Sequence, residues 1–321
     1  MVETEVHYPT DITLLWDALR KVITLSARRT RREGLLGWGQ WRHNLRQVKG
    51  ELRRVQKLKH STSQDEGKQA QREKALHKAY RRYLALAHSF MQRAEETLEK
   101  QPVGQARAEQ EVIERFLAHA RRQIDQIQRR VLEGETIPHS EKVFSLFEEH
   151  TEWISKGKAG VPVELGLNVA IMEDQYGFIL HHRVLHGQRD EGVAVPMVEE
   201  TQARYPDLKR CSFDANFYTP DNRQQLDALL ALCVLPSKGH PSPDESTDEF
   251  ERYRRRHAAV ESAINALEVH GLDRCPDQGI DGFTRYVALA VVARNIQQIG
   301  VLIQKRKAAA YKRQHRRKRA A

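Results

Sequence analysis

Residues 163–185 read VELGLNVAIMEDQYGFILHHRVL. Two runs rich in Val, Leu and Ile flank the turn-like tetrad Asp174-Gln175-Tyr176-Gly177, a pattern that predicts a β-hairpin. Short segments of alternating character follow. Residues 193–206, VAVPMVEETQARYP, suit a short helix, and 208–217, LKRCSFDANF, a buried strand. PDNRQQLDALLA at 220–231 suits a helix opened by Pro220, and ALCVLP at 231–236 a further strand. Strands alternating with helices predict an α/β layer with some parallel pairing. Upstream, KVFSLF at 142–147 has the same β-type texture.

The amino-terminal half reads differently. VETEVHY at 2–8 alternates like a short strand until Pro9 stops it. Thr10 or Asp11 then serves as an N-cap, and Leu15, Leu19, Val22 and Ile23 recur at helical spacing. A second helix aligns Leu76, Tyr80, Tyr83, Ala87, Phe90, Ala94 and Leu98. After Pro102 and Gly104, a third aligns Val112, Phe116, Ala120, Ile124, Ile127 and Val131. The segment from 12 to about 133 therefore predicts a helical bundle, with a flexible link at HSTSQDEGKQ (60–69). At the other end, a Pro/Ser/Asp-rich loop, 237–249, leads into a basic helix and then into an apolar helix at 283–303.

Charge is unevenly placed along the 321 residues, whose formal net charge is +10. Asp17 to His60 holds 13 Lys/Arg against 3 Asp/Glu, and Lys305 to Ala321 holds 9 Lys/Arg and no acid. The rest of the chain has 31 basic and 40 acidic residues, so two segments carry all the excess positive charge. That polarity favours a polyanionic partner. It also admits the plainer reading of a solvated helical face. Three cysteines without CxxC spacing suggest neither a disulfide framework nor a cysteine zinc site. No run is expected to reach the ~20 apolar residues of a membrane span, and the first residues lack the pattern of a signal peptide. A cytoplasmic protein is expected. His181 and His182 are neighbours on a predicted strand and face opposite ways, which argues against their joining His186 at one metal.

Two carboxylates stand out. Asp214 follows the strand LKRCSF, at the carboxyl edge where α/β sheets place their sites. Glu261 lies in RRRHAAVESAINALEVHGLDRC (254–275). With Val260, Ile264 and Leu267 as the buried stripe, Glu261 turns to an adjoining face with Arg254, His257, Asn265 and Glu268. A carboxylate so placed can bind a divalent metal while the arginines meet a phosphate backbone. Each acid also has an ordinary reading, Glu261 as a surface acid paired with Arg254 or His257, and Asp214 as a turn residue.

Taken together, VETEVHYPTDITLLWDALRKVI, the hairpin, SFDANFYTPDNRQQL and the stretch from Arg254 to Ile296 resemble bacterial insertion-sequence transposases of the DDE class, especially the ISNCY-like group. The resemblance covers nearly the whole chain. It implies an RNase H-like catalytic core in an α/β fold, with a large helical insertion after the first strand. The expected domains are residues 1–11 as the remnant of the first core strand, 12–135 as the basic insertion, 136–304 as the core and 305–321 as a disordered basic tail. Asp214 then matches the second acid of the triad and Glu261 the third, together holding Mg2+ or Mn2+ for in-line phosphodiester displacement. The implied partner is double-stranded DNA, as transposon ends and target, with a homo-oligomer forming on it and no membrane. Arg28, Arg29, Arg31 and Arg32 of the insertion, with Arg254, Arg255, Arg256, His257 and Asn265, are the expected DNA contacts.

In that family the first acid lies on the first strand, ahead of the segment matching VETEVHYPTD. No residue of this chain matches it, and neither Asp11 nor Asp17 replaces it. The isolated chain is therefore expected to show little strand transfer. The alternative is a non-catalytic DNA-binding remnant, or a regulator of an intact transposase.

Overall fold

A three-residue strand, β1 (Val2–Thr4), opens the chain, and Thr10 starts the first helix, α1 (Asp11–Arg32). Thr10 Oγ1 accepts the Thr13 amide at 3.3 Å while Thr13 Oγ1 accepts the Thr10 amide at 3.0 Å, a reciprocal cap for donors that a helix start leaves unpaired. The computed structural model describes residues 1–6, 8–60, 65–99, 107–155, 163–239 and 241–320. His7, and the 61–64 part of the expected link, lie outside them. The chain divides into two units, Val6–Glu149 and Met1–Glu5 with His150–Ala321.

The first unit is helical: α1, α2 (Trp41–Lys59), α3 (Glu66–Glu99) and α4 (Arg107–Ile127), the last prolonged by a wide turn at Gln128–Leu132. Leu15, Leu19, Val22 and Ile23 of α1 are fully buried. So are, or nearly so, Tyr80, Tyr83, Ala87, Phe90 and Ala94 of α3 and Phe116, Ala120, Ile124 and Ile127 of α4. Each large aliphatic side chain so covered contributes roughly 1.5–3 kcal/mol. Tyr83 donates its hydroxyl to Ile12 O at 3.1 Å, and burial raises its pKa far above the ordinary value, keeping it a donor.

Two expectations change here. The helical unit reaches Glu149 rather than 135, and KVFSLF forms no strand: Leu146 is 1 % exposed and packs into the helical core, which satisfies its apolar surface without a ladder. Arg29 is also 1 % exposed, its Nε paired with Glu33 Oε1 at 3.2 Å. It is therefore a core residue and not a DNA contact.

The second unit joins β1 to β2 (Glu152–Ser155), β3 (Val163–Glu173) and β4 (Ile179–Leu185), followed by α5 (Ala194–Arg204), β5 (Arg210–Ser212), α6 (Pro220–Leu229), β6 (Leu232–Val234), α7 (Asp248–Leu267), β7 (Arg274–Cys275) and α8 (Gly279–Ala320). The expected hairpin is β3–β4. Asp174 Oδ1 accepts the amides of Tyr176 and Phe178 at 2.8 and 2.9 Å, and Gly177 adopts φ 83°, a conformation that favours glycine. Strand β3 pairs antiparallel with β2, β1 and β4 over different parts of its length, and β1 pairs parallel with β7. The parallel pair β5–β6 forms a sheet of its own. Mixed α/β architecture with some parallel pairing is thus observed, in two sheets rather than one layer.

Each sheet has its own core. Val2, Leu167, Leu267, Cys275, Phe283 and Val287 fill one, and Val195, Val198, Phe213, Leu226 and Leu235 the other. Helix α8 packs Phe283, Val287 and Val291 inward and continues through the basic residues to Ala320, so the tail expected to be disordered is helical. Among the described residues one segment, Gly279–Arg313, is long and apolar enough to cross a membrane by length and composition, which corrects the expectation of none.

Gly166 is where β1 approaches β3 most closely: a Cβ there would lie 2.0 Å from Val2 O and 2.8 Å from Glu3 Cα. Gly166→Ala is expected to displace β1 and cost about 1–3 kcal/mol of stability in a urea titration. An unchanged midpoint would show that β1 is not held at this position.

Candidate functional site

Phe213 extends β5 by donating its amide to Val234 O at 2.9 Å and buries its ring, leaving Asp214 at the strand's end. Asp214 then starts the short turn Ala215–Phe217 in extended conformation (φ −70°, ψ 151°), and its carboxylate does not cap that turn. It is exposed and free to act on a ligand.

Asn222 fixes the neighbourhood. Thr219 caps α6 by accepting the Asn222 amide at 3.0 Å, and the buried Asn222 side chain donates to Phe217 O at 2.8 Å and to Glu191 O at 2.7 Å. One side chain thus ties the turn after Asp214 to the loop carrying Asp190. The Asp190 carboxyl is pushed up by burial, then by the charges of Asp214 and Glu191. Sequence reasoning missed Asp190, since nothing local marks an acid brought to the site by its neighbour's backbone.

Helix α7 supplies the other wall. Thr247 caps it by accepting the Phe250 amide at 3.3 Å, with Asp248, Glu249 and Glu251 in its first turn. Tyr253, His257 and Glu261 follow at four-residue intervals on one side, while Arg210, Ser212 and Asp214 alternate along β5 and its extension. Two strand residues span about 6.6 Å and four helical residues about 6 Å, so the elements run in step. Arg210 Nη1 donates to Tyr253 Oη at 2.9 Å, and Ser212 Oγ lies 3.1 Å from His257 Nδ1. Continued one step further, that register leads to Asp214 on the strand and Glu261 on the helix. Burial pushes the His257 pKa down, and the charges of Asp214 and Glu261, with Ser212, partly restore it.

The two sequence-assigned acids thus act on one histidine. Ser212 and Tyr253 were missed, although their spacing from Asp214 and Glu261 is the signal that finds them. Of the expected DNA contacts, Arg254 and Asn265 are exposed, Arg255 pairs with Glu251 at 3.0 Å, and Arg256 lies over the Tyr253 ring. Of the expected buried stripe, Leu267 is buried, while Ile264 is exposed and Ala263 is buried in its place. In the helical unit Arg28 and Arg31 are exposed, and Arg32 pairs with Glu109 at 2.5 Å. A cavity of about 1230 Å³ adjoins the site, lined by Lys209, Arg210, Ser212, Tyr253, Arg256 and His257 among others.

Among the described residues no three His, Cys, Asp or Glu groups converge to hold one metal ion. The donors present, carboxylate oxygens, are of the type that Mg2+ and Mn2+ prefer, and the charge crowding at Asp190 is of the kind a divalent cation relieves. Comparisons of the chain with protein-family models, curated proteins and solved structures each return no match.

Two tests follow from this geometry. Asn222→Ala removes both donors from buried carbonyls and should cost about 1–3 kcal/mol, read as a lower unfolding midpoint; a neutral effect would remove Asn222 from its tying role. The folded pKa of His257 lies below its unfolded value, so the unfolded state binds more protons as pH falls through about 6.5, and stability is lost on acidification. His257→Asn should reduce the fall in melting temperature between about pH 8 and about pH 5. An identical fall in both proteins would show that His257 is not desolvated.

Proposed function

We propose that this chain is a DDE-class transposase related to the ISNCY-like insertion-sequence group, with little strand transfer of its own because no residue of it matches the first acid of the triad. In this reading the α/β unit is an RNase H-like core and Val6–Glu149 its helical insertion. The observation that carries it is the register of β5 against α7, with Arg210 on Tyr253 and Ser212 on His257, a register that continues to Asp214 at the strand end and to Glu261, 47 positions later in the chain, on the helix. Acids carried on separate elements toward a strand's carboxyl end suit a catalytic site better than a surface ion pair.

Asp214 and Glu261 would hold Mg2+ or Mn2+, which when bound supplies charge stabilisation to the displaced phosphate oxygens. The chain's own residues do the rest. His257, its pKa lowered by burial, is held toward its neutral form and so does not compete with a metal as a cation beside the two acids. Arg254 and Asn265 flank Glu261 on its exposed side and would position the DNA backbone; Arg28 and Arg31, with the basic end of α8, would add salt-sensitive affinity. The proposed setting is the bacterial cytoplasm, at the nucleoid.

A homo-oligomer on DNA belongs to the same proposal. Helix α8 exposes Leu289, Val292, Ile296, Ile299 and Ile303, alternately three and four residues apart. That narrow seam is of the kind two identical helices bury against each other.

The second reading, a non-catalytic DNA-binding protein or a regulator of an intact transposase, needs only the basic segments, Asp17 to His60 and Lys305 to Ala321. Calorimetric titration with Mn2+ separates the two. The catalytic reading expects binding that Asp214→Asn and Glu261→Gln each weaken at least about tenfold, a loss of about 1.4 kcal/mol, with any DNA cleavage lost in parallel. Metal affinity unchanged in both variants overturns the site assignment. DNA binding that persists in chelator, with neither metal binding nor cleavage, establishes the second reading.

A further inference from the structure

Tyr253 stands among three guanidinium groups. The Cζ atoms of Arg252, Arg256 and Arg210 lie 5.1, 5.6 and 5.9 Å from its ring centroid. Its hydroxyl accepts from Arg210 Nη1 at 2.9 Å and faces Arg252 Nη2 at 3.5 Å. These donors hold the Tyr253 pKa below the ordinary phenol value, Arg252 contributing most.

The ring face attracts each cation, but three like charges around one ring also repel one another. Among the described residues no carboxylate lies within ion-pair distance of Arg210, Arg252 or Arg256. Arg255, by contrast, is neutralised by Glu251 one turn away. The three arginines are exposed, and Arg210, Tyr253 and Arg256 line the cavity beside the acids. An arrangement of unneutralised forked donors fixed by an aromatic ring is a receptor for an oxyanion, and planar guanidinium groups match phosphate oxygens in pairs.

Position narrows the ligand. In the step-for-step alignment of β5 with α7, the Arg210–Tyr253 contact is the first step and Asp214 with Glu261 the third. The separation along α7 from Tyr253 to Glu261 is about 12 Å. We infer that Arg210, Arg252 and Arg256, ordered around Tyr253, bind a phosphate of a DNA strand whose neighbouring segment passes Asp214 and Glu261. This rests on the DNA-handling function proposed above and adds to it a strand-positioning site on the side of β5 away from its acid end. The Tyr253 ring keeps the three cations apart and oriented; the cavity gives the strand room.

The test is fluorescence anisotropy of a labelled DNA strand, single and duplex, titrated with the intact chain over a range of salt. Wild type should bind with a steep salt dependence. Arg210→Gln and Arg252→Gln should each weaken binding by about tenfold and lower the salt slope by about one phosphate equivalent. Tyr253→Ala, which frees the arginines, should weaken binding with less change in slope. Arg285→Gln removes a charge already paired with Asp277 and serves as the control for net charge. Loss of affinity equal to that of Arg285→Gln, with an unchanged slope, overturns the inference while leaving DNA binding in place. A wild type that binds no DNA overturns both this inference and the function it rests on. Thermal stabilisation by inorganic phosphate that Arg210→Gln abolishes, with DNA affinity untouched, assigns the cluster to a free anion and also overturns it.

Discussion

The α/β unit depends on a backbone contact made by three residues. Strand β1 lies between β3 and β7, and Val2 O sits where a side chain on residue 166 would be, so only glycine admits it. Around that contact Thr4 Oγ1 bonds Thr151 Oγ1 at 2.9 Å and Leu165 O at 3.3 Å, and Arg274 pairs with Glu3 at 2.9 Å. These bonds tie the segment before the helical unit to the segment that follows it. The chain can therefore leave the α/β unit after Glu5, fold 144 residues separately and return at His150 without breaking the sheet. A buried threonine pair at the exit and re-entry points matches each polar group with a partner at little conformational cost.

Much of this was legible in the sequence where a single period governs. The hairpin declared itself through alternation and an Asp-to-Gly turn, and α1, α3 and α4 through apolar spacing that no competing partner disturbed. Failures came where tertiary contacts outweighed local pattern. KVFSLF has strand composition, but Leu146 found the helical core. Ile264 has the spacing of a buried residue on α7, yet Ala263 faces inward beside the expected Leu267. Arginine-rich stretches were read as one surface, and Arg29 shows that a guanidinium beside a good acceptor can be enclosed by a bundle. The split into two sheets was not legible, because three-residue strands carry too little pattern to name their neighbours.

The candidate site divides the same way. Asp214 and Glu261 were singled out from a strand end and a helix face, and the charges of both bear on the same histidine. Ser212, Asp190 and Tyr253 were not found, because each matters only through a residue far along the chain. The common cause is register: a strand advancing two residues for every four of a helix brings Arg210 to Tyr253 and Ser212 to His257, and no window of local sequence contains both members of either pair.

That register has no covalent guard. Cys211 and Cys233 stand opposite each other in the β5–β6 ladder, and burial pushes each thiol up to about 12. At neutral pH a thiol of that kind is thiolate in only about one molecule in 10⁵, and thiolate is the form that begins disulfide chemistry. The two sulfurs are neighbours that scarcely react. The strand carrying Arg210, Ser212 and Asp214 is therefore held by ladder bonds and packing, with two free thiols raised by burial beside it rather than a disulfide.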